Sequence, residues 1–200
     1  MFGCDCGMFK GRIAAVLAVV LCLAFFSTFF GREFVGRATS GKVDMRPTVI
    51  LDAGHGGFDG GAVAHDGTVE KDINLKIAAM LKSLLQNSNF NVVMTRESDV
   101  STDSVETDKI AVRKKSDLKN RLKLMNDYPD AVFVSIHLNK FTTSAANGSQ
   151  VFYSGKREES KKLGMDIQES IVRLLQPENQ RVNKQATSST YILYNATVPA

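Results

Sequence analysis

The feature that most restricts what this chain can fold into is an alternation of short apolar runs with amphipathic ones between residues 48 and 194. Residues 48–52 (TVILD), 91–95 (NVVMT), 131–136 (AVFVSI) and 150–154 (QVFYS) are short and rich in β-branched and aromatic side chains, so they read as buried strands. Residues 190–194 (TYILY) have the same character and are expected to form one more. Between these runs the apolar spacing becomes helical. Residues 71–86 carry Ile73, Ile77, Met80, Leu81, Leu84 and Leu85 on one face. Residues 116–126 carry Leu118, Leu122 and Met125, and residues 158–175 carry Leu163, Ile167, Ile171, Leu174 and Leu175, with Pro177 beyond the end. The polar stretch 96–115 reads as a long exposed loop. Strands alternating with helices predict an α/β fold, a mostly parallel sheet flanked by helices on both faces of a single domain.

The first 46 residues obey other rules. Residues 1–12 are a short basic region with Lys10 and Arg12. Residues 13–30 (IAAVLAVVLCLAFFSTFF) hold no charge and are near the minimum length for spanning a bilayer as a helix. Basic residues ahead of such a run are the layout of a signal peptide or a membrane anchor, and either one exports the rest of the chain. Residues 31–46 read as a linker, and the folded domain is expected over 47–200. Five of the 25 basic residues but only two of the 21 acidic ones lie in residues 1–43. The remainder is nearly neutral, which argues against a nucleic-acid-binding face. Cys4, Cys6 and Cys22 all lie at or before the end of the apolar run. The domain beyond it therefore has neither a disulfide framework nor a cysteine-based metal site.

The chemistry concentrates on histidine. Of three histidines, His55 follows TVILDAG and His137 follows AVFVSI, each just past the end of an expected buried strand. Ligands of open α/β sheets bind at the carboxyl ends of strands, so neighbouring parallel strands bring both imidazoles to one crevice. Gly54, Gly56 and Gly57 leave space beside His55. A catalytic zinc takes three ligands from His and Asp or Glu and leaves the fourth position open. Glu70, between the glycine loop and the first helix, is the leading third ligand. Asp52, Asp59 and Asp66 compete with it, and a plain helix N-terminal charge is the alternative role for Glu70. His65, in the turn-like segment AHDGT, is expected to be exposed.

Taken in order, ILDAGHGGFDGGA, EKDINLKIAAMLKSLL, VVMTRESD, FVSIHLN and GSQVFYS resemble the catalytic domain of the amidase-3 family of N-acetylmuramoyl-L-alanine amidases over about residues 47–200. The resemblance implies zinc held by His55, Glu70 and His137, and hydrolysis of the amide between the lactyl group of N-acetylmuramic acid and L-alanine. It implies peptidoglycan as substrate and action outside the cytoplasmic membrane, to which residues 13–30 would anchor or direct the chain. An apolar segment plus a lone catalytic domain also looks like the sporulation members of the family. Asn139, two residues after His137, is a candidate substrate contact. Arg96, Asp99 and Arg121 read as structural. The family's general-base glutamate comes after a Pro-Ala-Val-like segment on a late strand, and the sequence ends at Val198, Pro199 and Ala200. No catalytic base is assigned. A truncated chain is one expectation, and a non-catalytic peptidoglycan- or partner-binding protein is the other.

Overall fold

The computed structural model describes residues 45–139 and 147–200. The expected basic region, the apolar run at 13–30 and almost all of the linker lie outside the described residues. No helix among the described residues is long and apolar enough to cross a membrane.

Three strands form the central sheet: β1 (Thr48–Ala53), β2 (Asn91–Met94) and β3 (Val132–Ile136). Their order is β2-β1-β3 and both pairings are parallel. Alternation along β1 divides the core. Val49 and Leu51 face one side, where they pack with Leu81, Leu85, Phe90, Leu163 and Ile167. Ile50 faces the other and packs with Met125, Phe133, Ile192, Leu193 and Val198. The first layer is supplied by helices α1 (Glu70–Asn87) and α3 (Glu158–Leu175). The second is supplied by α2 (Ile110–Asn126) and the short α4 (Tyr191–Asn195). The expected α/β architecture, with helices on both faces of a parallel sheet, is the one observed. Burying a sheet on both faces explains the near-continuous apolar runs in β1 and β3.

A second ladder, β4 (Phe152–Tyr153) with β5 (Lys184–Gln185), is also parallel. Residues 198–200 lie between it and the central sheet. The Phe133 amide donates to the Pro199 carbonyl, the Ser154 amide donates to the Ala200 carbonyl, and the Ala200 amide donates to Ser160 Oγ.

Three expectations need correction. Residues 190–194 do not form a strand: Tyr191–Asn195 is a helix in which the neighbours Ile192 and Leu193 are both buried. Its bonds stay local, with the Tyr194 amide donating to the Thr190 carbonyl and Asn195 Nδ2 to the Tyr191 carbonyl. A four-residue apolar run carries no period long enough to separate the two conformations. The helix expected at 116–126 begins at Ile110. Its first turns bury no apolar stripe, since Ile110 and Val112 are exposed. They are held instead by ion pairs from Arg113 to Asp103 and from Lys114 to Asp59. Finally, Met80 lies on the exposed side of α1, whose buried stripe is Glu70, Asn74, Ala78, Leu81 and Leu85. That stripe is apolar where it crosses the sheet and polar where it passes the strand ends, which delivers Glu70 to the site.

Candidate metal centre

The register of β1 against β3 sets Ala53 opposite Ile136, and the Gly54 amide donates to the Ile136 carbonyl one step further on. The two chains therefore leave the sheet side by side, carrying His55 and His137 with them. The His137 ring occupies the space a Gly54 side chain would take: a Cβ there would lie 2.3 Å from His137 Cε1. His55 sits in the left-handed region at φ 62°, a conformation rare for a residue with a Cβ. It is braced from behind. Arg121 Nη2 donates to the His55 carbonyl at 2.8 Å, Arg121 Nη1 and Arg96 Nε donate to the Ala53 carbonyl, and Arg96 Nη2 donates to the Gly54 carbonyl. Arg96 and Arg121 are both buried and hold backbone, the structural role expected of them. Asp99 does the same for the next turn, accepting from the Gly57 amide and from Lys71 Nζ.

The two imidazoles meet edge to face, with centroids 4.8 Å apart. His55 Nε2 lies 3.3 Å and His137 Nδ1 3.1 Å from the same atom, Glu70 Oε1. Ligand atoms of all three residues fall within 4.8 Å of one another. Glu70 is 6% exposed. Its Oε1 also accepts from the Leu138 amide and Asn74 Nδ2, and its Oε2 accepts from the Ala62 amide. Burial alone would raise the carboxyl. Hydrogen bonds from the His137 ring and from the Ala62 and Leu138 amides, together with the nearby His55 ring, outweigh it and bring Glu70 down to about 2. The group is a carboxylate throughout the ordinary pH range.

The competing carboxylates are placed elsewhere. Asp52 is sealed beneath the site, bonded to Arg121, Thr95 and Ser135. Asp66 closes an exposed turn by accepting from the Thr68 amide. Asp59 stands on the far side of His55: its Oδ2 is 2.9 Å from His55 Nδ1, and Lys114 Nζ is 2.9 Å from its Oδ1. A carboxylate at Nδ1 holds the proton there and leaves Nε2 with its lone pair turned toward Glu70. The sequence hints at that role only through the four-residue spacing from His55, and the same spacing makes Asp59 a rival ligand. Asn74 is a functional neighbour that sequence reasoning misses, although it lies one helical turn beyond Glu70. His65 is exposed in a turn, as expected, and Asn139 is exposed two residues beyond His137.

The donor set suits a metal. Ligands about 2.0–2.2 Å from a tetrahedral zinc lie about 3.3–3.6 Å from one another, close to the two separations measured to Glu70 Oε1. Two nitrogens and one carboxylate oxygen are the ligand types of an open catalytic site. The absence of Cβ atoms at Gly54 and Gly61 keeps the space clear, since a Cβ on Gly61 would meet both His55 and Glu70. A cavity of about 200 Å³ opens here, lined by His55, His137, Phe58, Asp59, Lys114 and Arg121 among others.

Residues 49–200 match the model of the amidase-3 family, described as N-acetylmuramoyl-L-alanine amidase. The chain is 38% identical over 160 residues to a germination-specific N-acetylmuramoyl-L-alanine amidase of Bacillus subtilis, covering 80% of this chain and 64% of that protein. It thus spans a little under two thirds of that relative's length. Among solved structures, it resembles the CwlD amidase of Clostridioides difficile in complex with the GerS lipoprotein, with a TM-score of 0.72, 40% identity and coverage of 77% and 79% of the two chains. An N-acetylmuramoyl-L-alanine amidase of Clostridium difficile 630 gives a TM-score of 0.63 at 30% identity, over 78% and 76% of the chains.

Proposed function

We propose that this chain, which belongs to the N-acetylmuramoyl-L-alanine amidase family, hydrolyses the amide between the lactyl group of N-acetylmuramic acid and L-alanine in peptidoglycan, with zinc held by His55, Glu70 and His137. The observation that carries the reading is the convergence of His55 Nε2 and His137 Nδ1 on one oxygen of a buried carboxylate. Bound zinc supplies Lewis acidity, activating water at neutral pH and polarising the amide carbonyl. The protein's part is positional. Glu70 brings a fixed negative charge, Asp59 sets the tautomer of His55, and Arg96 and Arg121 hold the His55 loop so that little reorganisation accompanies binding. Asn139, exposed two residues beyond His137, is read as a substrate contact.

The substrate sets the site of action: peptidoglycan lies outside the cytoplasmic membrane, with residues 13–30 as signal or anchor. The germination-specific amidase of Bacillus subtilis supports a role in germination.

The test is to load the full chain with zinc, incubate it with muropeptides and identify the products. An amidase frees the intact stem peptide, whereas release of a single amino acid would mean a carboxypeptidase instead. His55→Ala and His137→Ala are each expected to abolish stoichiometric zinc retention, and retention by both variants would remove the ligand assignment. Asp59→Asn is expected to weaken zinc binding about 10- to 100-fold, the usual contribution of a partner behind a histidine ligand. Competition with a chromogenic chelator reads this out without any turnover, and an unchanged affinity would show that Asp59 does not orient His55.

A second reading, binding without turnover, has its own observation. The carboxylates lining the cavity are Asp52, Asp59 and Asp117, and each is engaged. Asp117 alone accepts from Arg121, Thr102 and Ser101. Among the described residues, none of the three stands free to carry protons to a leaving amine. Muropeptide binding by the zinc-loaded chain with no product formed would favour this second reading.

A further inference from the structure

A groove of about 520 Å³ lies next to the metal centre, and zinc binding and water activation make no use of it. Phe58 lines both the groove and the cavity that holds His55 and His137, so one begins where the other ends. The groove wall is cross-braced by side chains. Arg113 grips Asp103 through Nε and Nη2 at 2.9 and 3.2 Å and stacks 4.0 Å over the Phe58 ring. Asp117 holds the backbone and side chain of Thr102, and Asn120 donates to the Thr102 carbonyl. Pairing with Arg113 cancels the charge of Asp103. The charge left on the lining is that of Glu106, which forms no ion pair among the described residues. Beside it stand Val100 and Val105, apolar side chains 49% and 36% exposed on an otherwise polar loop. Two aliphatic side chains beside one carboxylate suit an aliphatic chain that ends in a cation.

We propose that this groove holds the stem peptide beyond the scissile amide, and that Val100, Val105 and Glu106 receive the aliphatic ammonium side chain of the diamino acid at the third stem position. The proposal rests on the amidase reading. A third residue sits two residues past the cut, at least roughly 7 Å away in extended chain, and Phe58 is shared by the cavity and the groove.

The experiment is calorimetric binding to the zinc-loaded full chain, which does not depend on turnover. Three probes are compared: N-acetylmuramoyl-L-Ala-D-Glu, the tripeptide ending in lysine or diaminopimelate, and a tripeptide ending in norleucine. The diamino tripeptide is expected to bind about fivefold more tightly than the dipeptide, with norleucine recovering only part of the gain. Exposed Glu106→Gln should bring the diamino tripeptide down to the norleucine level, and Val105→Ser should reduce both tripeptides. Equal affinity for dipeptide and diamino tripeptide would overturn the proposal. So would an advantage that survives both substitutions. If lengthening the glycan strengthens binding and Val105→Ser removes that gain, the groove is a sugar subsite and the proposal is likewise overturned. Binding of none of the probes would take down the amidase reading itself, an outcome distinct from loss of the third-residue effect alone.

Discussion

Gly54→Ala is expected to empty the metal centre while leaving the domain folded. The added Cβ would lie 2.3–2.7 Å from three atoms of the His137 ring, closer than nonbonded atoms approach. Backbone cannot yield there, because the Gly54 amide continues the β1–β3 ladder and its carbonyl accepts from both Arg96 and Asn74. The ring can: the His137 side chain is 40% exposed and swings outward at little expense in packing. Destabilisation is therefore expected at the low end of the about 1–3 kcal/mol typical of overpacking. Zinc affinity should fall by more than about 100-fold, since the proposed ligand His137 is displaced and not merely an outer partner. Gly164→Ala is the control, because its Cβ would press on Tyr153 at 3.1 Å, away from the metal residues. It should shift the melting temperature without changing zinc affinity. Wild-type zinc binding by Gly54→Ala would mean that the approach of His137 to Gly54 does not define the site.

The same contact marks the boundary of what sequence pattern can reveal. β1 and β3 are legible because burial on both faces leaves long apolar runs, and a parallel sheet puts the residues after such runs in one crevice. His55 and His137 emerge from that alone. Glu70 is legible as a leading option only, since the stripe of α1 turns polar at Asn74 and Glu70 and polarity does not announce direction. Asp59 competes as a ligand in the sequence, because spacing does not tell which side of an imidazole a carboxylate occupies. The start of α2 is hidden for a related reason: Arg113 and Lys114 hold it through ion pairs to Asp103 and Asp59, outside the helix, and no apolar period marks them. Helix α4 reads as a strand because four apolar residues fit either conformation until Met125 and Phe133 are placed beneath them. Local pattern captures what burial dictates, and it fails where partners distant in the chain decide.

Removing Arg121 is expected to cost the fold about 3–5 kcal/mol, because it strands Asp52 as an unpaired buried charge. The two side chains are 2% and 1% exposed and directly bonded. Burial tends to raise the Asp52 carboxyl, but the Arg121 charge and hydrogen bonds from Ser135, Thr95 and Arg121 hold it below the ordinary carboxylate range. A carboxyl depressed in the folded state contributes stability above its unfolded value, about 3.9, and loses it as pH falls through the lower folded value. In Arg121→Met the sign reverses. Burial now dominates and lifts Asp52, so its penalty is present at neutral pH and relaxes as the carboxyl protonates in acid. The gap in urea-unfolding stability between wild type and Arg121→Met should thus be widest near pH 7 and shrink toward pH 4. Adding Asp52→Asn to Arg121→Met should recover part of the loss at neutral pH, since the stranded charge is gone. A gap that stays constant with pH, or no recovery in the double variant, would show that Arg121 stabilises the domain through its bonds to the Ala53 and His55 carbonyls and not through its charge.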